Sequence, residues 1–446
     1  MIVGGRVRFA AAGRALRHRN FRFFFFGQLI SVTGTWMQTL AQAWLMVTLV
    51  GKDQAIVFLG LLGAVQFLPV LVLGLFGGII ADVWPKRRTV IGTQTAAGLL
   101  ALVLGGLVFF HLVVVWHVFV LAFLLGLVNA VDNPTRQSFV VEMVGSEDVA
   151  NAVALNSAVF NGARVVGPAI GGILIAVLGT ALCFILNGLS YGAVVIGLLA
   201  MRDSELKPAP RLAAPRSVTA VRANLGEGLR YVRNTPVVLL AIGVIAFVST
   251  FGMNFNVVLP VMAASTLNVG PNGFGVLYAS MGAGALLAAV SVAMLQRPHI
   301  RILIGGGMVL GLAEFVLAAT TSYPVALVAV FFAGVGVIAT SVSANTLIQI
   351  TVPGPLRGRV MSVYTTVFTG STPIGNGLTG GVGGLWGTPA ALVMNGAIAF
   401  GAEAVAAVAV LRGRVPGIGN RAGGGPGRSA DPAQASAPPA ALPLTD

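Results

Sequence analysis

An all-α membrane protein, with twelve transmembrane helices in two pseudo-symmetric six-helix bundles, is the fold this sequence predicts. Three observations predict it. The chain of 446 residues is 56% hydrophobic and 9% charged, with a mean hydropathy of +0.91, too apolar for a water-soluble globule. Apolar runs of about 20 residues, long enough to cross a hydrocarbon core of roughly 30 Å, recur along it. Finally, 25 of the 27 Lys and Arg residues fall on one side if the runs are read as spans; Lys52 lies in a turn on the other side and Arg164 inside a run. This positive-inside pattern, with an even number of spans, places both termini in the cytoplasm of a multi-pass protein of the cell inner (plasma) membrane.

A cytoplasmic arm, 1–21, precedes the N-terminal bundle, 22–201, whose spans lie near 22–49, 55–80, 89–111, 115–133, 149–175 and 180–201. The C-terminal bundle, 236–411, has spans near 236–262, 273–295, 302–320, 324–346, 359–384 and 390–411. The cytoplasmic loop between them, 202–235, opens with Pro208, Pro210 and Pro215. It continues with Val218, Val221, Leu225, Leu229 and Val232 at helical spacing opposite Arg222, Glu227, Arg230 and Arg233, the pattern of an amphipathic helix on a membrane surface. The tail, 412–446, is rich in Gly, Pro and Ala and reads as disordered.

The halves repeat one another. Asn133 and Gln137 at the end of span 4 have counterparts in Asn345 and Gln349 at the end of span 10. Val159-Phe160-Asn161-Gly162 followed by Gly167 matches Val367-Phe368-Thr369-Gly370 followed by Gly375. Two matches in register across a chain already divided six and six point to duplication, the architecture of transporters whose halves rock about a midplane site.

Other classes are disfavoured. The net charge of +14 is divided among short loops, which is an orienting signal and an attraction to anionic headgroups, with no nucleic-acid partner implied. Cys183 stands alone in an apolar run, so no intrachain disulfide or Cys-pair metal site is available. No cofactor or metal is implied: there is no His cluster and no pair of intramembrane carboxylates at ligand spacing, which argues against a membrane-embedded enzyme. Lys52, Lys86 and Lys207 lie outside any Gly-x-x-x-x-Gly-Lys-Ser/Thr loop, which argues against an ATP-driven pump. The first twenty residues are basic without an apolar core, so no cleavable signal peptide is expected.

Between spans 2 and 3 runs Gly77-Gly78-Ile79-Ile80-Ala81-Asp82-Val83-Trp84-Pro85-Lys86-Arg87-Arg88. It resembles the cytoplasmic signature of the major facilitator superfamily, Gly, then Asp four residues on, then a basic run, although Val83 and Pro85 depart from it. The resemblance covers Arg17 to Arg412 and implies a gate of Gly78, Asp82, Lys86, Arg87 and Arg88, with Arg136 and Glu142. Asp82 would meet a helix N-terminus near Arg357–Ser362 or an Arg such as Arg136. In span 5, Gly167-Pro168-Ala169-Ile170-Gly171-Gly172 resembles the motif of the antiporter branch; an ordinary glycine packing face is the alternative. Arg17 to Arg22, Gly34-Thr35-Trp36-Met37-Gln38 and Asp132-Asn133-Pro134-Thr135-Arg136-Gln137 look like the subgroup of the enterobactin exporter and macrolide efflux proteins. That implies proton-antiport export of a small organic molecule of drug, siderophore or secondary-metabolite type, by a monomer whose partners are substrate, protons and lipid. A proton-coupled importer of the same fold stays open.

Charges inside the bilayer are costly, so those present are functional candidates. Arg164, at mid-depth, would bind an anionic substrate group or pair with Asp132 at the inner end of span 4, the two forming a coupling pair. Glu314 in span 9 and Glu403 in span 12 are further proton-coupling candidates, with a bond to a neighbouring helix as the alternative. Gln28, Ser31, Thr35, Gln38 and Gln42 form a stripe on span 1 that would line a central cavity or serve as interhelical hydrogen-bond glue. Asn254 and Asn256 of span 7 and Tyr278 of span 8 would form the opposing wall, and Trp36 and Trp44 add aromatic surface.

Overall fold

The computed structural model describes residues 13–207, 218–295 and 300–413; within these, the side chains of 75–82 and 218–225 are not described. Among the described residues all regular structure is helical. After a 3₁₀ turn at Arg14–Arg17 come α1 Arg19–Val50, α2 Ala55–Val83, α3 Lys86–Phe109, α4 Val115–Val144, α5 Val149–Leu178 and α6 Thr180–Leu199. The amphipathic α7, Val218–Asn234, leads to α8 Pro236–Phe251 and α9 Phe255–Val261. There follow α10 Gly270–Met294, α11 Ile300–Ala319, α12 Tyr323–Thr351, α13 Gly354–Trp386 and α14 Thr388–Leu411. The tail and the prolines of the central loop lie outside the described residues.

Among the described residues ten segments are long and apolar enough to cross a membrane; α1 and α13 are not among them. Their interiors explain why: α1 carries the Gln/Ser/Thr stripe and α13 is rich in Gly and Thr. Two predicted spans differ in form. α4 continues through Pro134 to Val144, and beside the proline Thr135 donates to the Val131 carbonyl and Ser138 to the Pro134 carbonyl. The predicted span 236–262 is broken after Phe251, and Asn254 Nδ2 donates to the Thr250 (2.7 Å) and Phe251 (3.3 Å) carbonyls released at the break.

Helices α1–α6 pack among themselves, as do α8–α14, and two large contacts bridge the groups, α2 with α13 and α5 with α10, with the short α9 also resting on α1 and α2. Both bridges are built on glycine. A Cβ on Gly172 of α5 would sit 2.9 Å from Gly275 Cα of α10, and one on Gly60 of α2 would sit 2.7 Å from Gly380 Cα of α13. In the register that aligns Val159-Phe160 with Val367-Phe368, Gly172 and Gly380 are equivalent, so the two seams are copies. The turns that follow them are copies too: Gly179 (φ 81°) ends α5 and Gly387 (φ 85°) ends α13, both in the left-handed region open to glycine.

The seams close at one end only. Gly167, Gly171 and Gly172 are buried, as are Gly375, Gly380 and Gly383. Toward the end that carries Arg14, Lys86, Arg136 and Arg357, the same helices expose Val153, Ala154, Ser157 and Ala158 on α5 and Ser362, Thr365 and Thr366 on α13. The halves therefore meet at the end poor in charge and part toward the basic end.

Overpacking a backbone-to-backbone contact costs about 1–3 kcal/mol. Gly60→Leu and Gly172→Leu should each lower the detergent-solubilised Tm by several degrees, whereas Gly192→Leu, where nothing lies within 4 Å of an added Cβ, should leave it unchanged. Differential scanning fluorimetry of the three purified variants is the check.

Candidate functional site

The residue that stands out is Arg164, midway along α5 where the halves begin to part. Its guanidinium carbon lies 5.4 Å from the centre of the Trp36 ring of α1, within reach of a cation–π interaction, and Trp36 is met edge-on by Phe160 one turn back along α5. From the other half, Gly282 of α10 abuts the Arg164 carbonyl. Tyr278, one turn away on the same helix, is 3% exposed and packs edge-on against Phe274. Arg164 itself is half-buried, and its Nε is buried without a hydrogen-bond partner among the described residues.

Asp132 is not its partner. The Asp132 carboxylate is 3.3 Å from Arg136 Nε one turn along α4, and it accepts from Thr93 (2.7 Å) and Gln94 (3.0 Å) of α3. An i,i+4 neighbour on the same helix reaches it without any movement, and two donors from α3 occupy the same oxygen; the expected Asp132–Arg164 pair is thereby corrected. Thr93-Gln94 was the legible signal for this, a polar pair within the apolar run of span 3.

The α1 stripe also differs from a cavity lining. Gln28 accepts from Arg136 (2.7 Å), Gln38 accepts from Asn187 of α6 (2.6 Å), and Thr35 lies 3.3 Å from the Tyr191 hydroxyl. Ser31 is buried, and Gln42 faces a small space closed by Leu100, Leu104, Leu121, Ala122 and Leu125. The stripe holds α1 inside its own half, because α4 and α6 offer polar partners there. Of the opposing wall, Asn254 is buried and donates to Thr379 of α13 (2.9 Å), within its own half, while Asn256 is half-buried on α9. Tyr278 is buried against Phe274 of its own helix. Trp44 packs against the same Phe274 of α10.

Glu314 and Glu403 lie on the α11–α14 contact, Glu403 against Gly307 and Glu314 beside Gly396. Both Glu403 oxygens and Glu314 Oε2 are buried without partners among the described residues, so the expected bond to a neighbouring helix is absent at Glu403. Neither approaches Arg164, since α11 and α14 are not among the helices that bridge the halves.

At the basic end, Lys86 pairs with Glu142 (2.6 Å), and Arg87 pairs with Asp203 (2.5 Å) while donating to the Leu198 carbonyl. These contacts join α3 to the end of α4 and to the chain after α6. Arg88 is exposed. Gly78 and the Asp82 side chain lie outside the described residues, so of the predicted gate the structure joins Lys86 to Glu142 and assigns Arg136 to Asp132 and Gln28. In the motif of span 5, Gly167 meets Trp36 and Gly171 meets Met37 and Leu40 of α1, while Gly172 meets α10. The motif is a packing face, and it is the one on which a seam between the halves is built.

A contact that sequence reasoning missed ties the N-terminal turn to α5: Arg14 Nε is 3.1 Å and His18 Nε2 2.8 Å from Asp148, and the Ala15 amide donates to Asn151 (2.9 Å). His18, and to a lesser extent Arg14, hold the Asp148 carboxyl below its ordinary value. A lowered carboxyl contributes stability that is present above the ordinary Asp range and lost as pH falls through the lowered value. Asp148→Asn should therefore free the turn at neutral pH as strong acid does in the parent, seen as faster trypsin cleavage after Arg14 and Arg17 without cleavage elsewhere.

A bundle of apolar helices in two similar halves, with a lone cation between them at mid-depth, defines a membrane transporter. The chain belongs to the major facilitator superfamily, in the family of transmembrane secretion effectors, whose model matches residues 10–422. It is 32% identical over 330 residues to the multidrug efflux pump Tap of Mycolicibacterium fortuitum, covering 70% of this chain and 77% of that one. It is 26% identical over 176 residues to the staphyloferrin A transporter of Staphylococcus aureus; that match spans 39% of this chain and 44% of the relative, less than half of either. Among solved structures, a POT family transporter superposes with a TM-score of 0.68 at 13% identity, covering 88% of this chain and 96% of that one. The nucleoside transporter NupG superposes with a TM-score of 0.67 at 13% identity, covering 89% and 99%. At such identity these two establish the fold alone.

Proposed function

We propose that this protein is a secondary active exporter of small organic molecules, of drug, siderophore or secondary-metabolite type, driven by proton antiport and working as a monomer by alternating access. In this reading α1 and α13 bring the ten apolar segments to twelve spans in two bundles, and both termini are cytoplasmic. The observation that carries it is the pair of glycine seams, closed at one end and parted at the basic end around Arg164. Two copies of one seam let the halves rock about the midplane, each end opening as the other closes. With the basic end cytoplasmic, the state described takes substrate from inside. The likeness to a multidrug efflux pump over 70% of the chain supports export.

Asp132 is the proton-exchanging group in this account. Its partner Arg136 also holds Gln28 of α1, so protonating Asp132 would release an arginine that ties α4 to α1. Glu314 and Glu403, remote from the seams, serve the packing of α11 on α14.

Inside-out vesicles test both statements. A panel of fluorescent drugs should be taken up when the lumen is acidic, and collapsing the pH gradient should abolish the uptake. Asp132→Asn should reduce gradient-driven uptake at least tenfold at equal abundance, whereas Glu314→Gln and Glu403→Gln should retain most of it. Uptake confined to right-side-out vesicles would make the protein an importer, and wild-type pumping by Asp132→Asn would remove that residue from coupling.

A further inference from the structure

We propose that Arg164, with Trp36 and Phe160, forms a subsite for the anionic group of a substrate whose charge is carried next to a planar or aromatic body, an aryl or heteroaryl carboxylate being the simplest case. This deepens the reading above by naming a substrate class. A guanidinium in the middle of an apolar helix is costly to insert and is ordinarily paired. Arg164 is not paired: no acceptor among the described residues meets it, Asp132 is engaged by Arg136, Thr93 and Gln94, and Glu314 and Glu403 lie on the α11–α14 contact. Among the described residues nothing supplies the anion, which leaves the place to a ligand.

The place fits a transported ligand. Arg164 is on α5 and Trp36 on α1, and Gly282 of α10 abuts the Arg164 carbonyl, so the subsite borders the α5–α10 seam between the halves. Toward the charge-poor end the glycine contacts close it; toward the basic end α5 is exposed from Ala158 back to Val153, an approach lined by small and apolar side chains. A guanidinium presents a planar fork of donors that matches a carboxylate, and the Trp36 ring lies within cation–π reach of it, 5.4 Å from ring centre to the guanidinium carbon. The half-buried Trp36 and exposed Phe160 rings offer the apolar surface against which an aromatic body packs. Lipid phosphate carries the same anionic chemistry, but the site lies midway along a helix of 30 residues, away from the headgroup level.

Binding to the purified protein in phosphatidylcholine nanodiscs tests this without requiring transport, so a failure of the export reading and a failure of the subsite are told apart. The probes are naphthalene-1-carboxylate, its primary amide and 1-naphthylmethylammonium, which share one ring system and differ in charge; empty nanodiscs correct for partition into lipid. The carboxylate should bind at least about tenfold more tightly than the amide, the scale of one charge-assisted contact, and the ammonium should bind least. Arg164→Gln should erase the difference between carboxylate and amide, and Arg164→Lys should restore part of it. Trp36→Leu should weaken all three probes while keeping their order. Should the wild type bind the three alike, or Arg164→Gln keep the preference with the protein still monodisperse, the subsite is overturned. If the preference appears only after phosphatidylglycerol is added, Arg164 serves lipid and the substrate assignment is likewise overturned.

Discussion

Two helical halves in lipid have little to hold them together, because lipid tails solvate an apolar helix face as well as another helix does. What holds these halves is the approach of bare backbone: Gly60 against Gly380 and Gly172 against Gly275. Dispersion contacts at that range need both partners to lack a side chain, so the seams admit no gradual adjustment; they are made or they are absent. The rest of the architecture follows from that all-or-none property. Each half must be rigid by itself, and the contacts between halves few and smooth; one polar link, the exposed hydrogen bond from Lys52 to Asn268 (3.2 Å), joins them at the charge-poor end.

Rigidity within the N-terminal half comes from polar contacts placed away from the seams. Gln38 with Asn187, Gln28 with Arg136, and Asp132 with Thr93 and Gln94 knit α1, α3, α4 and α6. In the other half Asn254 caps the broken helix before α9 and is tied through Thr379 to Asn395. With those groups committed inside each half, Arg164 is the cation left between them. Its isolation is a consequence of how thoroughly Asp132 is used elsewhere.

The sequence made much of this legible, for physical reasons that differ by element. Spans could be read because lipid demands about 20 apolar residues for each crossing, and the repeat could be read because Val159-Phe160 and Val367-Phe368 keep one register. Turn glycines aside, the ends of helices were harder: α4 runs on beyond its apolar stretch as a polar helix, which hydropathy alone does not distinguish from a loop. Partners were hardest of all. Spacing put Gln28, Ser31, Thr35, Gln38 and Gln42 on one face, but whether that face meets water or another helix depends on rotation about the α1 axis, which periodicity leaves free. Asp132 and Arg164 were paired in expectation by opposite charge and depth; the structure shows that an arginine one turn away on the same helix wins that competition. Arg164 stood out in both views, since an arginine in an apolar run is conspicuous whatever surrounds it.

The central claim is that the two ends of the molecule open in opposition about the glycine seams. Double electron–electron resonance in nanodiscs addresses it with two label pairs: Asp53→Cys with Trp386→Cys at the charge-poor end, and Trp84→Cys with Gly354→Cys at the basic end, all at exposed positions. As pH is stepped across the range that drives transport, the populations at the two ends should shift in opposite senses, a longer distance growing at one end as a shorter one grows at the other. Distances that widen together, or that stay in one distribution at both ends under every condition, would contradict the account.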